Sequence, residues 1–386
     1  MTRISVATIA LFAFLQAAVP PPQEYAPVAC AGPLPYNGPP LYDTKFKPPS
    51  SAFALGTKPF DAGTISRLDL AVNEAMESTK ATAMTAAIAT RNGAWSTMRG
   101  GGVFSAPKRL YWASVGKAAT AAVILQLVDE GKLSLEDKVS KWITAVPNAP
   151  VMTIDNLLQH TSGLFSANED VAVRAEPRLY TPEEHFKIAA THGAMFCPGQ
   201  KWRYSNTGYS VLGRIIEAVD KRQYHEAVNA RIATRVGLTT FRALAPNEAP
   251  DDVAPLTPTT DTGPKMMPSW GYAAGNVVAS AEDMLNFWKA LLDGRLLSAK
   301  SMARLYERLY PMFDEGTFYG RGAMLFVVPQ PTGAPRIWLG HSGGAPGIKS
   351  VVAYSPSDGA FVAVALTSDG SAEATANLLL KRLAGS

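Results

Sequence analysis

From Thr64 to Ser78 apolar residues recur at Ile65, Leu68, Ala71, Val72, Ala75 and Met76, the spacing of one helix face. Met84 to Ala89 then reads as a strand that enters a turn at Arg91-Asn92-Gly93. From Val115 to Val128 the pattern changes: Val115, Ala118, Ala119, Ala122, Val123 and Leu127 make one face, and Ala121, Ile124, Leu125 and Val128 make much of the rest apolar too. That predicts a helix buried nearly all round, ended by Gly131 as a left-handed cap. Helical patterns follow at Ile154 to His160, Glu183 to Ala190, Val211 to Val219 and Ala281 to Leu292. Short apolar runs at Met324 to Val328, Arg336 to Leu339, Ser350 to Tyr354 and Phe361 to Thr367 read as strands, and Ala372 to Leu383 as a closing helix. Strands gather toward the two ends of the chain and helices fill the middle.

Two segments fall outside these patterns. Arg3 followed by a mostly apolar stretch to Ala18 reads as a signal peptide over residues 1–19, which implies a secreted or periplasmic protein. Residues 20–60, crowded with proline, read as a linker or arm, and the folded domain is expected over 61–386, with a helical subdomain at about 118–265. A net charge of +4 and no basic run exclude electrostatic capture of nucleic acid. Membrane association is expected only through an uncleaved signal segment or a lipid on Cys30. With Cys30 and Cys197 the only cysteines, a four-thiolate zinc site within one chain is excluded and one disulfide stays open.

The candidate chemistry starts at Ser114-Val115-Gly116-Lys117, where a hydroxyl and an amine three residues apart open the buried helix on one face. A lysine in apolar surroundings loses its preference for charge and can take the serine proton, so Ser114 is the candidate nucleophile and Lys117 its base. Ser105-Ala106-Pro107-Lys108 has the same spacing, but it contains a proline and opens no helix. Taken singly, the Ser114 spacing also fits a capping serine and a surface lysine. Tyr204-Ser205-Asn206 offers a proton relay and a substrate-binding amide, or simply turn chemistry before a helix. His341-Ser342-Gly343-Gly344 follows a strand and could present the Gly344 N–H, with that of Ser114, to an oxyanion while His341 orients substrate; otherwise it is a hairpin turn.

In the order Ser-x-x-Lys, Tyr-x-Asn, His-x-Gly these motifs resemble the signature elements of the serine β-lactamase and penicillin-binding-protein family. Thr153 to Leu164, Pro198 to Gly213 and Ala274 to Phe287 resemble the same family, and the likeness covers about residues 65 to 383. It implies an α+β fold of β-lactamase/transpeptidase type, an antiparallel sheet flanked by helices with a mainly helical second subdomain. The roles it implies are nucleophile for Ser114, base for Lys117, relay for Tyr204, and substrate contacts for Asn206, His341, Gly343 and Gly344. His160, in the Thr153 to Leu164 segment, is expected to be structural. No metal or cofactor is implied. Class C β-lactamases carry lysine where this chain has His341, which resembles the D,D-carboxypeptidase, D-aminopeptidase and esterase branches. The expected activity is hydrolysis of amide bonds in small peptides containing D- or unusual residues. An esterase or β-lactamase of the same family is the alternative, and an acylated sensor or binding protein without turnover is the alternative of another class.

Two rivals are weighed on the residues. Gly340-His341-Ser342-Gly343-Gly344 fits a nucleophile elbow around Ser342, but a strand rather than a helix should follow it, and no histidine lies beyond His341. A metalloenzyme finds little support among five histidines with no His-x-x-x-His pair.

Overall fold

The computed structural model describes residues 28–43, 55–100, 108–176, 178–254, 268–330 and 333–385. The expected signal peptide, Ser105, parts of the proline-rich segment and the whole of the 255–265 stretch lie outside them. The chain runs through α1 (Ala62–Thr79), β1 (Ala83–Thr90), β2 (Gly93–Gly100) and β3 (Leu110–Tyr111). After a 3₁₀ turn at Ala113–Val115 come α2 (Gly116–Asp129), α3 (Ile154–Leu158), α4 (Val171–Ala175), α5 (Pro182–His192), α6 (Asn206–Asp220) and α7 (Tyr224–Val228). β4 (Arg242–Ala243), β5 (Val277–Ala279), α8 (Ala281–Leu292) and α9 (Ala299–Leu305) lead back to the strands. These are β6 (Tyr310–Pro311), β7 (Thr317–Tyr319), β8 (Met324–Val328), β9 (Arg336–Ala345), β10 (Ile348–Ser355) and β11 (Ala360–Leu366), before α10 (Ala372–Leu383).

An antiparallel sheet in the order β2-β1-β11-β10-β9-β8-β7-β6 joins both ends of the chain, because β1 pairs with β11. β1 and β11 are buried along their whole length, so their runs of Ala, Val and Ile face protein on both sides. One face carries α1 and α10, packed on each other through Leu68, Val72, Ala376 and Leu380; the other carries α8 and, beyond it, the helical region around α2. This is the α+β architecture of the β-lactamase/transpeptidase type that the motifs implied. A small sheet, β3-β5-β4, joins the strand before the Ser114 turn to the segment that closes the helical region.

Several helices start on side chains chosen for the purpose: Asp61 caps α1, Ser205 α6, Ser280 α8 and Ser371 α10, and Thr153 and Thr181 form capping boxes on α3 and α5. α2 has no side-chain cap, and its open N-terminus lies at Ser114. The sequence pattern ends β9 at Leu339, whereas the strand continues through Ala345. Its pairing with β10 holds as far as Ala345–Ile348, while β8 stops at Gly340. His341 to Gly344 are therefore strand, not turn, and one edge of that stretch has no strand neighbour. Ser342 lies within the pairing, with Oγ 3.7 Å from Met324 Sδ, so no elbow forms there.

Cys30 and Cys197 form a disulfide, settling the pairing that the sequence left open. It anchors an extended arm whose Leu34 N–H donates to the Pro198 carbonyl, Asn37 N–H to that of Gln200 and Tyr42 N–H to that of Leu309. Tyr42 stacks on Phe318 of β7 at 4.2 Å. Among the described residues no helix is long and apolar enough to cross a membrane.

Candidate active site

Three segments meet at the open edge of β9. The first is the turn Ala113–Val115. The Trp112 N–H donates to the Val277 carbonyl, its indole N–H to that of Ala279, and its own carbonyl accepts from Ser350 Oγ at 2.8 Å. The turn is thus tied to both sheets. Gly275 lets its backbone approach, since a Cβ there would lie 2.8 Å from the Ala113 carbonyl oxygen. Ser114 stays half-buried in the 3₁₀ turn that leads into a helix whose residues from Gly116 to Leu127 are all buried.

Lys117 is fully buried, with Nζ 3.1 Å from Ser114 Oγ and 2.8 Å from the Ala274 carbonyl oxygen. It forms no ion pair among the described residues, and burial holds its pKa well below that of an ordinary lysine. An amine that is neutral can keep one N–H on Ala274 and turn its lone pair to Ser114. Tyr204 lies beside them. Lys117 Nζ is 4.8 Å from the centre of its ring, and the Ser114 hydroxyl is close enough to temper a phenol pKa that burial raises. The nucleophile, base and relay predicted from the sequence are therefore in mutual contact.

Asn206 is the first residue of α6. Its Nδ2 donates to Asn168 Oδ1 at 2.8 Å and its N–H to Ser166 Oγ at 2.9 Å, while Ser166 Oγ donates to the same Asn168 oxygen at 2.7 Å. That orients the Asn206 amide with Nδ2 toward Asn168. Neither Ser166 nor Asn168 was flagged by the sequence, where they stand in a loop without periodicity.

Gly343 passes closest to the turn: a Cβ there would lie 3.0 Å from the Ser114 nitrogen. Gly344, the next residue, is exposed. His341 departs from expectation. Its imidazole is only 1% exposed, with Nε2 3.2 Å from the Tyr319 hydroxyl and Nδ1 donating to the Ser342 carbonyl at 2.6 Å. Burial pushes its pKa down to about 3. A neutral, enclosed ring cannot anchor a carboxylate by charge, and in this structure it lies against the Tyr319 hydroxyl within the wall. On the solvent side an aromatic rim continues from Tyr204 through Trp202 to Phe313, 5.9 Å from Trp202 and 69% exposed. Among the described residues no three His, Cys, Asp or Glu side chains group as metal ligands would.

An antiparallel sheet joining both chain ends, with an accessible serine and a buried lysine at its open edge beside a helical region, defines a hydrolase scaffold of the penicillin-binding type. The chain belongs to the Beta-lactamase family, whose model matches residues 68–386. It is 33% identical to the putative penicillin-binding protein PbpX of Bacillus subtilis (strain 168) over 57% of this chain and 54% of PbpX. The match thus spans about half the length of that relative. Penicillin-binding protein 4 of Amycolatopsis lactamdurans is 30% identical over 70% of this chain and 75% of its own. The crystal structure of a D-stereospecific amidohydrolase from Streptomyces sp. superposes with a TM-score of 0.72 at 27% identity, covering 85% of this chain and all of that one (100%).

Proposed function

We propose that the protein is a serine hydrolase that works through an acyl-enzyme on Ser114 and cleaves amide bonds in small peptides containing D- or unusual residues. One observation carries the reading: a fully buried lysine without a carboxylate partner among the described residues sits 3.1 Å from the hydroxyl of a half-buried serine. Neutral Lys117 takes the Ser114 proton as Oγ attacks the carbonyl carbon. The carbonyl electrons move onto oxygen, and the N–H groups of Ser114 and Gly344 hold that oxyanion. As it collapses the C–N bond breaks, and the leaving nitrogen receives the proton from Lys117 through the Tyr204 phenol. Water, deprotonated by the same route, then attacks the ester and restores Ser114. Asn206 Oδ1, oriented by Asn168, accepts from a substrate amide N–H.

The amide preference rests on the free Asn206 acceptor, on the absence of a cationic anchor at His341, and on the likeness to a D-stereospecific amidohydrolase. We place the activity in a secreted or periplasmic setting, which the disulfide supports, since cytosolic thiols are kept reduced. The test compares wild type, Ser114→Ala and Ser342→Ala on p-nitrophenyl butyrate, nitrocefin and peptides ending in D-residues, with mass spectrometry for an acyl adduct. Loss of turnover and adduct in Ser114→Ala alone supports the mechanism, and the fastest substrate identifies the branch. Full activity in Ser114→Ala overturns it, and an adduct without turnover makes the chain a sensor.

A further inference from the structure

We propose that His160 is the positioning residue for Tyr204, fixing the phenol over Ser114 and Lys117 by gripping the backbone on both sides of it. This rests on the serine-hydrolase reading above. The Arg203 N–H donates to the His160 carbonyl at 2.9 Å, and the Ser205 N–H donates to Nδ1 of the His160 ring at 3.1 Å. Tyr204 is the residue between those two amides. The imidazole lies under it, ring centres 4.2 Å apart and tilted by 33°, so one side chain holds both the main chain and the ring.

The surrounding loops are built to deliver this grip. The Met195 N–H donates to the Gly163 carbonyl and the Gly199 N–H to that of Thr161, which lays the segment before Tyr204 along the loop after His160. His160 has φ 59°, a left-handed conformation in which histidine is enriched among non-glycine residues.

The choice of histidine is not explained by filling space. Because Nδ1 accepts, the ring proton is on Nε2, which is enclosed and reaches no acceptor among the described residues. Such a donor is costly to bury, and phenylalanine or leucine would fill the position without it. Among ring side chains only histidine also supplies an acceptor at the Nδ1 position, which the Ser205 N–H requires. The groups around the ring are Tyr204, Tyr209, Tyr319, Trp202, Lys117 and His341, with no carboxylate among them to favour a charged imidazole.

The test is a double-mutant cycle on p-nitrophenyl butyrate with His160→Leu, His160→Asn and Tyr204→Phe. Misplacing the phenol in His160→Leu is expected to lower kcat by about 100-fold with little change in KM. His160→Asn keeps an acceptor and tolerates the left-handed backbone, so it should recover most of the rate. In the Tyr204→Phe background His160→Leu should cost almost nothing more, because the group it positions is gone. An equal loss in both backgrounds, or wild-type kinetics in His160→Leu, overturns the proposal. Imidazole ¹⁵N spectra of the wild type test the grip without any variant: a proton on Nε2 supports it and a proton on Nδ1 overturns it. If Ser114→Ala is inactive and the cycle is additive, only the role of His160 fails; if Ser114→Ala is active, the serine-hydrolase reading itself fails.

Discussion

Gly343 is the position where one methyl group should separate the two halves of the site. An alanine Cβ there would lie 2.4 Å from the Trp112 carbonyl oxygen, 2.5 Å from Ser350 Oγ and 3.0 Å from the Ser114 nitrogen. Carbon and oxygen settle no closer than about 3.3 Å, so β9 and the nucleophile turn must part by roughly 1 Å. Two of the three obstructing atoms are backbone, and the third is tied to the Trp112 carbonyl by a 2.8 Å hydrogen bond that the intrusion would break. Overpacking of this kind costs about 1–3 kcal/mol. Moving the Ser114 N–H away from that of Gly344 should also lower kcat/KM by about 10²-fold, the effect of an ångström-scale misplacement. Gly208→Ala is the control. It lies in the first turn of α6, where a Cβ meets Leu157 Cδ2 at an ordinary 3.6 Å, and a helical alanine should add up to about 1 kcal/mol of stability at unchanged rate. Melting temperatures and p-nitrophenyl butyrate kinetics on the two variants decide the matter. Wild-type activity and stability in Gly343→Ala would refute the placement of β9 against the turn.

Three further outcomes are expected. Lys117 loses its proton in the folded state at a pH well below the ordinary lysine value, so kcat/KM should fall as pH drops through that depressed value. Above it the unfolded chain binds a proton that the native protein lacks, so stability should rise with pH up to the ordinary lysine range; Lys117→Met should abolish both trends in rate profiles and pH-dependent melts. The disulfide closes a loop with a sequence separation of 167, worth about 5 kcal/mol in the chain-entropy model, so Cys30→Ser or reduction should lower the melting temperature markedly in thermal scans. Phe313→Ala should reduce kcat/KM for p-nitrophenyl esters with an aromatic acyl group by roughly 10-fold relative to p-nitrophenyl butyrate, the worth of one aromatic contact, and equal losses on both would count against the rim.

The elements that the pattern located best include two helices that open on a serine and one short strand. α8 and α10 occupy Ala281–Leu292 and Ala372–Leu383 as read, each begun by a capping serine, and β8 occupies Met324–Val328. That Ser114, Lys117 and Tyr204 would lie together was legible from motifs with spacings of two or three residues. What was not legible depends on contacts between distant segments. Asn168 orients Asn206 across 38 residues, the Ala274 carbonyl holds Lys117 across 157, and Ser350 ties the nucleophile turn to β10 across 238. The extension of β9 through Gly344 is of the same kind, since its glycines suggest a turn until β10 is seen to continue the pairing. The burial of His341 likewise depends on Tyr319, 22 residues away, filling the space beside it.

The backbone gives an account of the site that uses none of the motifs. Among the described residues seven non-glycines have positive φ: Lys80, Ala113, Asn148, His160, Lys221, Asn247 and Tyr272. Lys80 and Lys221 are left-handed C-caps of α1 and α6, and the two asparagines are of the type that tolerates this conformation. The three that remain are Ala113, before the nucleophile; His160, which accepts from the amides on either side of Tyr204; and Tyr272, two residues before the carbonyl that holds Lys117. A left-handed conformation in such residues is unfavourable locally and persists only where surrounding contacts impose it. Lys117 violates a second rule, as a buried amine without a carboxylate partner among the described residues in the most apolar helix of the fold. Departures from local preference, at Ala113, His160 and Tyr272, and from burial preference, at Lys117, thus gather around one place in the fold, the pattern expected where selection acts on chemistry as well as on stability.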